Sequence, residues 1–284
     1  MRIYPECIPC FFRQGLVTAS KATDDREKLI EVMLLIAERL PELVKLPTPT
    51  HAGKFIHSIP RRMWGIYDPY KQDKERFIKM MLDMYPRIKV WVGDNLQRAL
   101  KAAASGNAID FATLGEDRIM AELQDIGERE FKRMEYDRFV EELENSKMLL
   151  YLADNAGETV FDKLLIEVLK LHYPQIEILY AVRGYPTIND AVYEDAIASG
   201  IDEVAKIIDS GCEAPGIILE DCNEGFRKIF YSSDIIISKG QGNFEALSEV
   251  KAPIYFLLQI KCDPVARYMG MEVGSLLFFR TSNG

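Results

Sequence analysis

The chain has 284 residues, a mass of 32.4 kDa and a formal net charge of −9. With 48% hydrophobic and 28% charged residues, it is not a disordered chain. Its acidic balance excludes a general nucleic-acid binder, which needs clustered Lys and Arg against phosphates. A small anionic ligand is still allowed, because a metal ion and a few lysines reverse the local sign at one site. No apolar run reaches the length of a membrane helix, and Met1 to Cys7 lacks the apolar centre of a signal peptide. Five thinly spread cysteines fit a reducing compartment. The expected location is the cytoplasm, with no membrane partner.

Residues 1–145 read as an all-α part and 146–284 as an α/β part. Leu29, Ile30, Val32, Met33, Leu34, Ile36, Ala37 and Leu40 form a broad apolar helix face over Asp25 to Leu40, with Thr23 or Asp24 as N-cap and Pro41 as its end. Pro47-Thr48-Pro49 extends that stop. Two more helices are expected from Tyr70 to Met84 and from Pro86 to Ala104, Pro86 serving as a first-turn proline. Asp117 to Leu143 reads as one or two further helices. After Asn145 the period changes. Strands are expected at 147–153, 176–182, 203–208, 234–238 and 253–258, and helices at 158–172, 189–198, 221–230 and 243–248. This alternation predicts a three-layer α/β/α unit on a mostly parallel sheet. Ligands of such sheets bind beyond the carboxyl ends of the strands.

Three polar clusters fall there: Asp154-Asn155-Ala156-Gly157-Glu158, Arg183 to Asp190, and Lys239-Gly240-Gln241-Gly242-Asn243. Asp154, Asn155 and Asp190 offer hard oxygen donors suited to magnesium or manganese. The chain's three histidines lie outside these clusters, which argues against an imidazole zinc site. A helix cap or turn explains the Asp-Asn pair as well as ligation does. The Lys239 cluster lacks the Gly-Lys-Ser/Thr ending of a Walker A loop. Its glycines ahead of a helix suit an anion, or simply a tight strand-to-helix turn. A divalent ion beside a phosphate cradle is the equipment of a phosphate-ester hydrolase, with water activated by the metal as attacker. Haloacid-dehalogenase-type phosphatases carry a second Asp two positions after the nucleophile; Ala156 stands there instead. Water is therefore favoured over Asp154 as attacker, without excluding Asp154.

The chain resembles the metal-dependent damage-control phosphatases, once catalogued as domain of unknown function 89, and most closely their archaeal and bacterial branch (subfamily I) with an N-terminal Cys-x-x-Cys. The resemblance rests on Cys7-Ile8-Pro9-Cys10, Gly106 to Phe111, Asp154 to Glu158, Asn189-Asp190 and Lys239 to Phe244, in that order. It implies a divalent cofactor (manganese, magnesium, cobalt or nickel) held by Asp154, Asn155 and Asp190. It implies a substrate loop at Lys239, Gly240, Gln241, Gly242 and Asn243, with Lys261 also meeting the phosphate. Glu158 matches the family acid after the Asp-Asn pair, and Asn107 and Asp110 match a motif lining the pocket from the helical side or capping a turn. Substrates would be small phosphorylated metabolites, such as sugar phosphates or damaged or excess intermediates. A carboxyl methyltransferase activity has been attached to a branch with an Arg-Thr-x-Lys motif, which is absent before Lys261. A metal- and anion-binding module without turnover is the other alternative.

Several residues carry bland readings beside the chemical ones. Cys7 and Cys10 suit a metal, a redox pair or plain packing. Cys212 and Cys222 are expected to be buried. Arg61 and Arg62 could border the pocket from the helical side, with a solvated basic pair as the favoured account, and Glu141, Glu142 and Glu144 are expected as a solvated run. His51 and His57 are not catalytic candidates, and His172 should sit at a helix end. Oligomeric state is left open.

Overall fold

The computed structural model describes residues 1–108 and 129–281. Helices α1 (Cys7–Ala22), α2 (Arg26–Leu43) and α3 (Pro49–Trp64) pack together around Phe11, Val32, Ile36, Ile56 and Ile59. Helix α1 was not anticipated, although Phe11, Gly15, Thr18 and Ala19 are buried at three- and four-residue spacing. Helix α2 is capped by Asp25, whose carboxylate accepts from Glu27 N at 3.0 Å, rather than by Asp24 or Thr23. Pro41 lies inside its last turn. Pro49 opens α3 instead of prolonging a stop, since a first-turn proline has no N–H to lose.

Helix α4 (Lys71–Val92) runs through Pro86 without a break and stops where Gly93 takes φ +53. Two helices were expected there; packing of Phe77, Ile78, Met81 and Met84 into the core outweighs the hydrogen bond that Pro86 cannot make. Helix α5 (Leu96–Ala108) follows. Residues 117–128 of the helical stretch expected from Asp117 lie outside the described residues.

Among the described residues seven strands form one sheet: β1 (Phe131–Met134), β2 (Met148–Leu152), β3 (Glu177–Val182), β4 (Lys206–Asp209), β5 (Ile235–Lys239), β6 (Ile254–Gln259) and β7 (Leu276–Arg280). Their order is β1-β7-β6-β5-β2-β3-β4, parallel throughout except for β6 against β7. Strands β1 and β7 were not anticipated. The first is four residues long and carries two charges, so its strand character comes from pairing with β7 rather than from local preference. Helices α4 and α5, α6 (Tyr136–Glu144) and α7 (Thr159–His172) cover one face, where Phe139, Tyr151, Leu165, Tyr180 and Phe278 are buried. Helices α9 (Glu224–Ser232), α10 (Gly240–Leu247) and α11 (Asp263–Met269) cover the other, over Leu150, Phe230, Phe244 and Phe256. The short α8 (Tyr193–Ala198) leads towards β4. Residues 189–192 precede it as loop, not as its first turn: Asp190 forms an isolated antiparallel bridge with Asn155.

The chain runs outward from β2 through β3 to β4, then returns to place β5 on the other side of β2. The order reverses between β2 and β5, and the crevice beyond their carboxyl ends is where such sheets bind ligands. Helix α3 closes on α10 from the helical part, with Thr50 donating to the Gly242 carbonyl at 3.1 Å. Lys74 of α4, almost wholly buried, pairs with Asp68 and Asp195 at 2.8 Å each. Among the described residues no helix is long and apolar enough to cross a membrane.

Candidate active site

Asp154 lies two residues beyond β2, and the Asp190 loop comes from the neighbouring β3. Backbone bonds lock the two segments together: Ala156 N donates to Asn189 O and Ala191 N to Asp154 O, each at 2.8 Å. The proposed ligands Asp154, Asn155 and Asp190 are thus brought to one place. Ile188, in the turn before Asp190, adopts φ +42, a region a β-branched residue enters only at a cost of about 1–3 kcal/mol. That strain sits two residues from a buried carboxylate.

Arg183 stands between the acids. Its Nε donates to Asp190 Oδ2 at 2.7 Å, and its Nη2 lies 3.8 Å from Asp154 Oδ1. Both Nη atoms are buried without a hydrogen-bond partner. From sequence Arg183 carries no assigned role; its place immediately after an apolar strand is the available signal. Burial, with Glu158 and Asp190 nearby, pushes the Asp154 carboxyl up to about 7. Burial pushes Asp190 up to about 6 against the pull of Arg183.

Lys239 departs from its expected role as an exposed phosphate contact. Its side chain is 0% exposed, and its ammonium donates to Glu158 Oε2 at 2.9 Å and to Asp162 Oδ1 at 2.6 Å. Burial pulls its pKa down, but the two carboxylates outweigh that and raise it. Glu158 in turn accepts from the Asn155 amide at 2.5 Å, and that amide also reaches Asp154 Oδ2 at 3.2 Å. Lys239 therefore reaches the Asp-Asn pair through Glu158.

Gly240 is required by its surroundings. It has φ +77, and a Cβ there would sit 1.9 Å from Asp154 Oδ2. At Gly242 a Cβ would lie 2.1 Å from the Pro215 carbonyl oxygen. Asn243 is buried and spends its amide within the protein: it donates to Ala153 O at 3.0 Å and Lys239 O at 2.8 Å, and accepts from Ile217 N at 2.8 Å. Gln241 bonds Glu245 at 2.8 Å and accepts from the Lys261 backbone N–H at 2.8 Å. Asn243 and Gln241 thus shape the loop rather than present free amides. Lys261 is exposed just past β6, near enough that its charge lowers the Asp154 pKa.

From the helical side, α5 brings Gly106 against Glu158, where a Cβ would stand 3.3 Å from Glu158 Cγ. Asn107 is in the last turn of that helix; its side chain, and Asp110 entirely, lie outside the described residues. Arg61 is not simply solvated: it pairs with Glu213 at 2.7 Å and lies 3.8 Å over the Tyr185 ring, gripping the Asp190 loop from α3. Arg62 is exposed as expected. A cavity of about 10 Å³ beside Arg61, Tyr185 and Thr187 has room for one water and no metabolite. Glu142 is no solvated acid either, since it binds Arg138, Tyr255 and Arg280. His57 is buried with Thr18 and Gln14, His51 bonds Thr48, and His172 bonds the Asp94 carbonyl. Cys7 and Cys10 begin α1 as free thiols, and Cys212 and Cys222 are buried as expected.

The donor chemistry fits a hard divalent cation. Asp154, Glu158, Asp162 and Asp190 are buried, and the buried cations that pair with them among the described residues are Arg183 and Lys239. Ionised together, the four acids exceed the two cations by two negative charges, the charge of one divalent ion. Among the described residues no three His, Cys, Asp or Glu side chains close into a cage. Two carboxylates and an amide are instead an open set of the kind that would suit magnesium or manganese, which keep positions for water or substrate oxygens.

An α/β/α sheet with carboxylates at its switch point defines the class of the protein, and comparison with known proteins identifies its family. The model of the damage-control phosphatase ARMT1-like domain matches residues 3–277, and the chain belongs to that family. An uncharacterized protein of Methanocaldococcus jannaschii, MJ0202, is 36% identical over 96% of this chain and 94% of its own length. The damage-control phosphatase PH1575 of Pyrococcus horikoshii is 31% identical over 99% of this chain and 98% of its own. A damage-control phosphatase of Archaeoglobus fulgidus is 31% identical over 98% of each chain. The crystal structure of the P. horikoshii protein, described as a DUF89 family protein, superposes with a TM-score of 0.93 at 30% identity, covering 99% of this chain and 100% of that one.

Proposed function

We propose that the chain is a divalent-metal-dependent phosphatase that hydrolyses small phosphorylated metabolites, with water as the attacking group. The four acids buried at the switch point, set against two buried cations, support this reading most directly. The names of the P. horikoshii and A. fulgidus relatives support the reaction class. Asp154, Asn155 and Asp190 would hold the ion. When bound, such an ion polarises a phosphoryl oxygen and lowers the pKa of a water. Arg183 fixes the Asp190 rotamer through its Nε bond. Glu158, gripped by Lys239, takes the amide nitrogen of Asn155, which also reaches Asp154 Oδ2, and so leaves the amide oxygen for the cation. Lys261 is an accessible cation on this rim and would meet the phosphate, the role the resemblance implies for it beside Lys239.

Assay with p-nitrophenyl phosphate tests the reaction. Turnover should vanish on chelation and return with manganese, magnesium, cobalt or nickel. Turnover that survives thorough chelation, or its absence with every metal and across a panel of phosphorylated sugars and nucleotides, would refute the reading.

The raised carboxyl pKa values predict a pH dependence. Unfolded, both acids titrate near 3.8; folded and metal-free, at about 7 and about 6. The native state then binds more protons, so its stability is present at low pH and is lost as pH rises through that window. His57 acts oppositely: its pKa falls from 6.5 to about 4 through burial, so its contribution is lost as pH falls. His57 is common to metal-free and metal-loaded protein and drops out of their difference. The rise in melting temperature on adding manganese should therefore be larger at pH 7.5 than at pH 5.5. An equal rise at both, measured by calorimetry, would contradict this assignment.

A further inference from the structure

A fully buried acid beside the site has no part in the mechanism above. Asp162, the fourth residue of α7, is 0% exposed and accepts three hydrogen bonds. Tyr151 O–H donates to its Oδ1 at 2.7 Å, Tyr180 O–H to its Oδ2 at 2.7 Å, and the Lys239 ammonium to its Oδ1 at 2.6 Å. The three donors come from three adjacent strands. Tyr151 of β2 and Tyr180 of β3 are register partners with stacked rings 5.2 Å apart, and Lys239 ends β5 on the other side of β2. Helix α7 lays Asp162 across that row.

Such an arrangement is more than a way of neutralising a lysine, for which Glu158 alone would suffice. Removing two tyrosine hydroxyls and a carboxylate from water is expensive unless each is satisfied, and here all are satisfied by one another. The result is a fixed point from which the Lys239 ammonium cannot swing. A chain of contacts leads on from it: Lys239 to Glu158 Oε2 at 2.9 Å, Glu158 Oε1 to the Asn155 amide nitrogen at 2.5 Å, and that nitrogen to Asp154 Oδ2 at 3.2 Å. A carboxylate accepts only, so Glu158 decides which end of the Asn155 amide faces it.

We infer that Asp162 is a positioning residue for the cation site: it anchors Lys239, so that Lys239 holds the Glu158 carboxylate and Glu158 fixes the orientation of the Asn155 amide. This rests on the reading of Asp154, Asn155 and Asp190 as cation ligands. Asp162 itself touches neither cation nor substrate. Groups that orient metal ligands from behind usually change metal affinity or activity by about 10- to 100-fold when replaced.

The test is manganese binding to the full chain, measured by titration calorimetry and by the electron paramagnetic resonance signal of free manganese, neither of which needs turnover. Asp162→Asn keeps the shape and removes the charge; it should weaken manganese binding by about 10- to 100-fold. At saturating manganese its KM for p-nitrophenyl phosphate should stay within about twofold of wild type, a separation that general loosening of the fold would not produce. Tyr180→Phe keeps every charge and deletes one bond to Asp162, and should weaken manganese binding by about 3- to 10-fold. A folded Asp162→Asn with wild-type manganese affinity overturns the inference. If that variant does not unfold cooperatively, wild-type affinity in Tyr180→Phe overturns it. Wild-type protein that binds manganese but cleaves no phosphate ester refutes only the proposed reaction, and the manganese comparison still decides the role of Asp162. Wild-type protein that takes up no manganese removes the ligand reading and this inference with it.

Discussion

Asp154→Asn is expected to lower kcat/KM for a phosphate monoester by on the order of 10³-fold, about 4 kcal/mol of transition-state stabilisation. The substitution is nearly isosteric, so Gly240 keeps its close approach and the loop its shape. What disappears is one of the charges proposed to hold the cation. The same change should stabilise the metal-free fold above pH 7, because burial and the neighbouring Glu158 and Asp190 work against the ionised acid. Opposite signs for activity and stability mark an acid kept for function; a structural acid would lose both together. Asp190→Asn should match the loss of activity without the gain, since it removes the charged partner of the buried Arg183 guanidinium. Steady-state kinetics with manganese, together with urea unfolding of the metal-free variants at pH 8, check both. Asp154→Asn with turnover near wild type would remove it from the ligand set.

Lys239→Met should cost about 3–5 kcal/mol of stability, because it leaves Glu158 and Asp162 buried without their shared cation. Activity should fall with it, through loss of the grip on Glu158. Adding Asp162→Asn to the lysine variant should recover part of the loss, as one of the two orphaned charges goes too. Urea unfolding of the two single variants and the double variant at pH 7.5 yields the coupling. A Lys239→Met protein as stable as wild type would mean that the lysine is not held as described. A rim lysine awaiting phosphate would predict unchanged stability and a raised KM, so the experiment separates the role assigned by the structure from the one expected from sequence.

The sequence was most legible where local chemistry dominates. The alternation of apolar runs and amphipathic helices after residue 146 marked five of the seven described strands; β2, β3, β5 and β6 are short apolar blocks buried on both faces, while the edge strand β4 is half-exposed and the equally apolar β7 was missed. The clusters at Asp154, Asp190 and Lys239 stood out because polar residues directly after such blocks can only lie at strand ends. Prolines misled: Pro49 opens a helix and Pro86 sits within one, since their effect depends on how much packing surrounds them. Strand β1 was not legible at all, as Phe131-Lys132-Arg133-Met134 becomes a strand only by pairing with a segment about 145 residues later.

Composition and motif order by themselves determined the fold class, the end of the sheet where the candidate site lies, and the oxygen-rich character of its side chains. These follow from residue type and local spacing. Only the tertiary structure decided how the charges are shared: that Lys239 is buried between Glu158 and Asp162, that Arg183 stands between Asp154 and Asp190, and that Lys261 is left at the rim. The reason is that a charge acts through distance and solvent exposure. Residues 77 to 81 apart in the chain acquire both only when strands β2, β3 and β5 lie side by side.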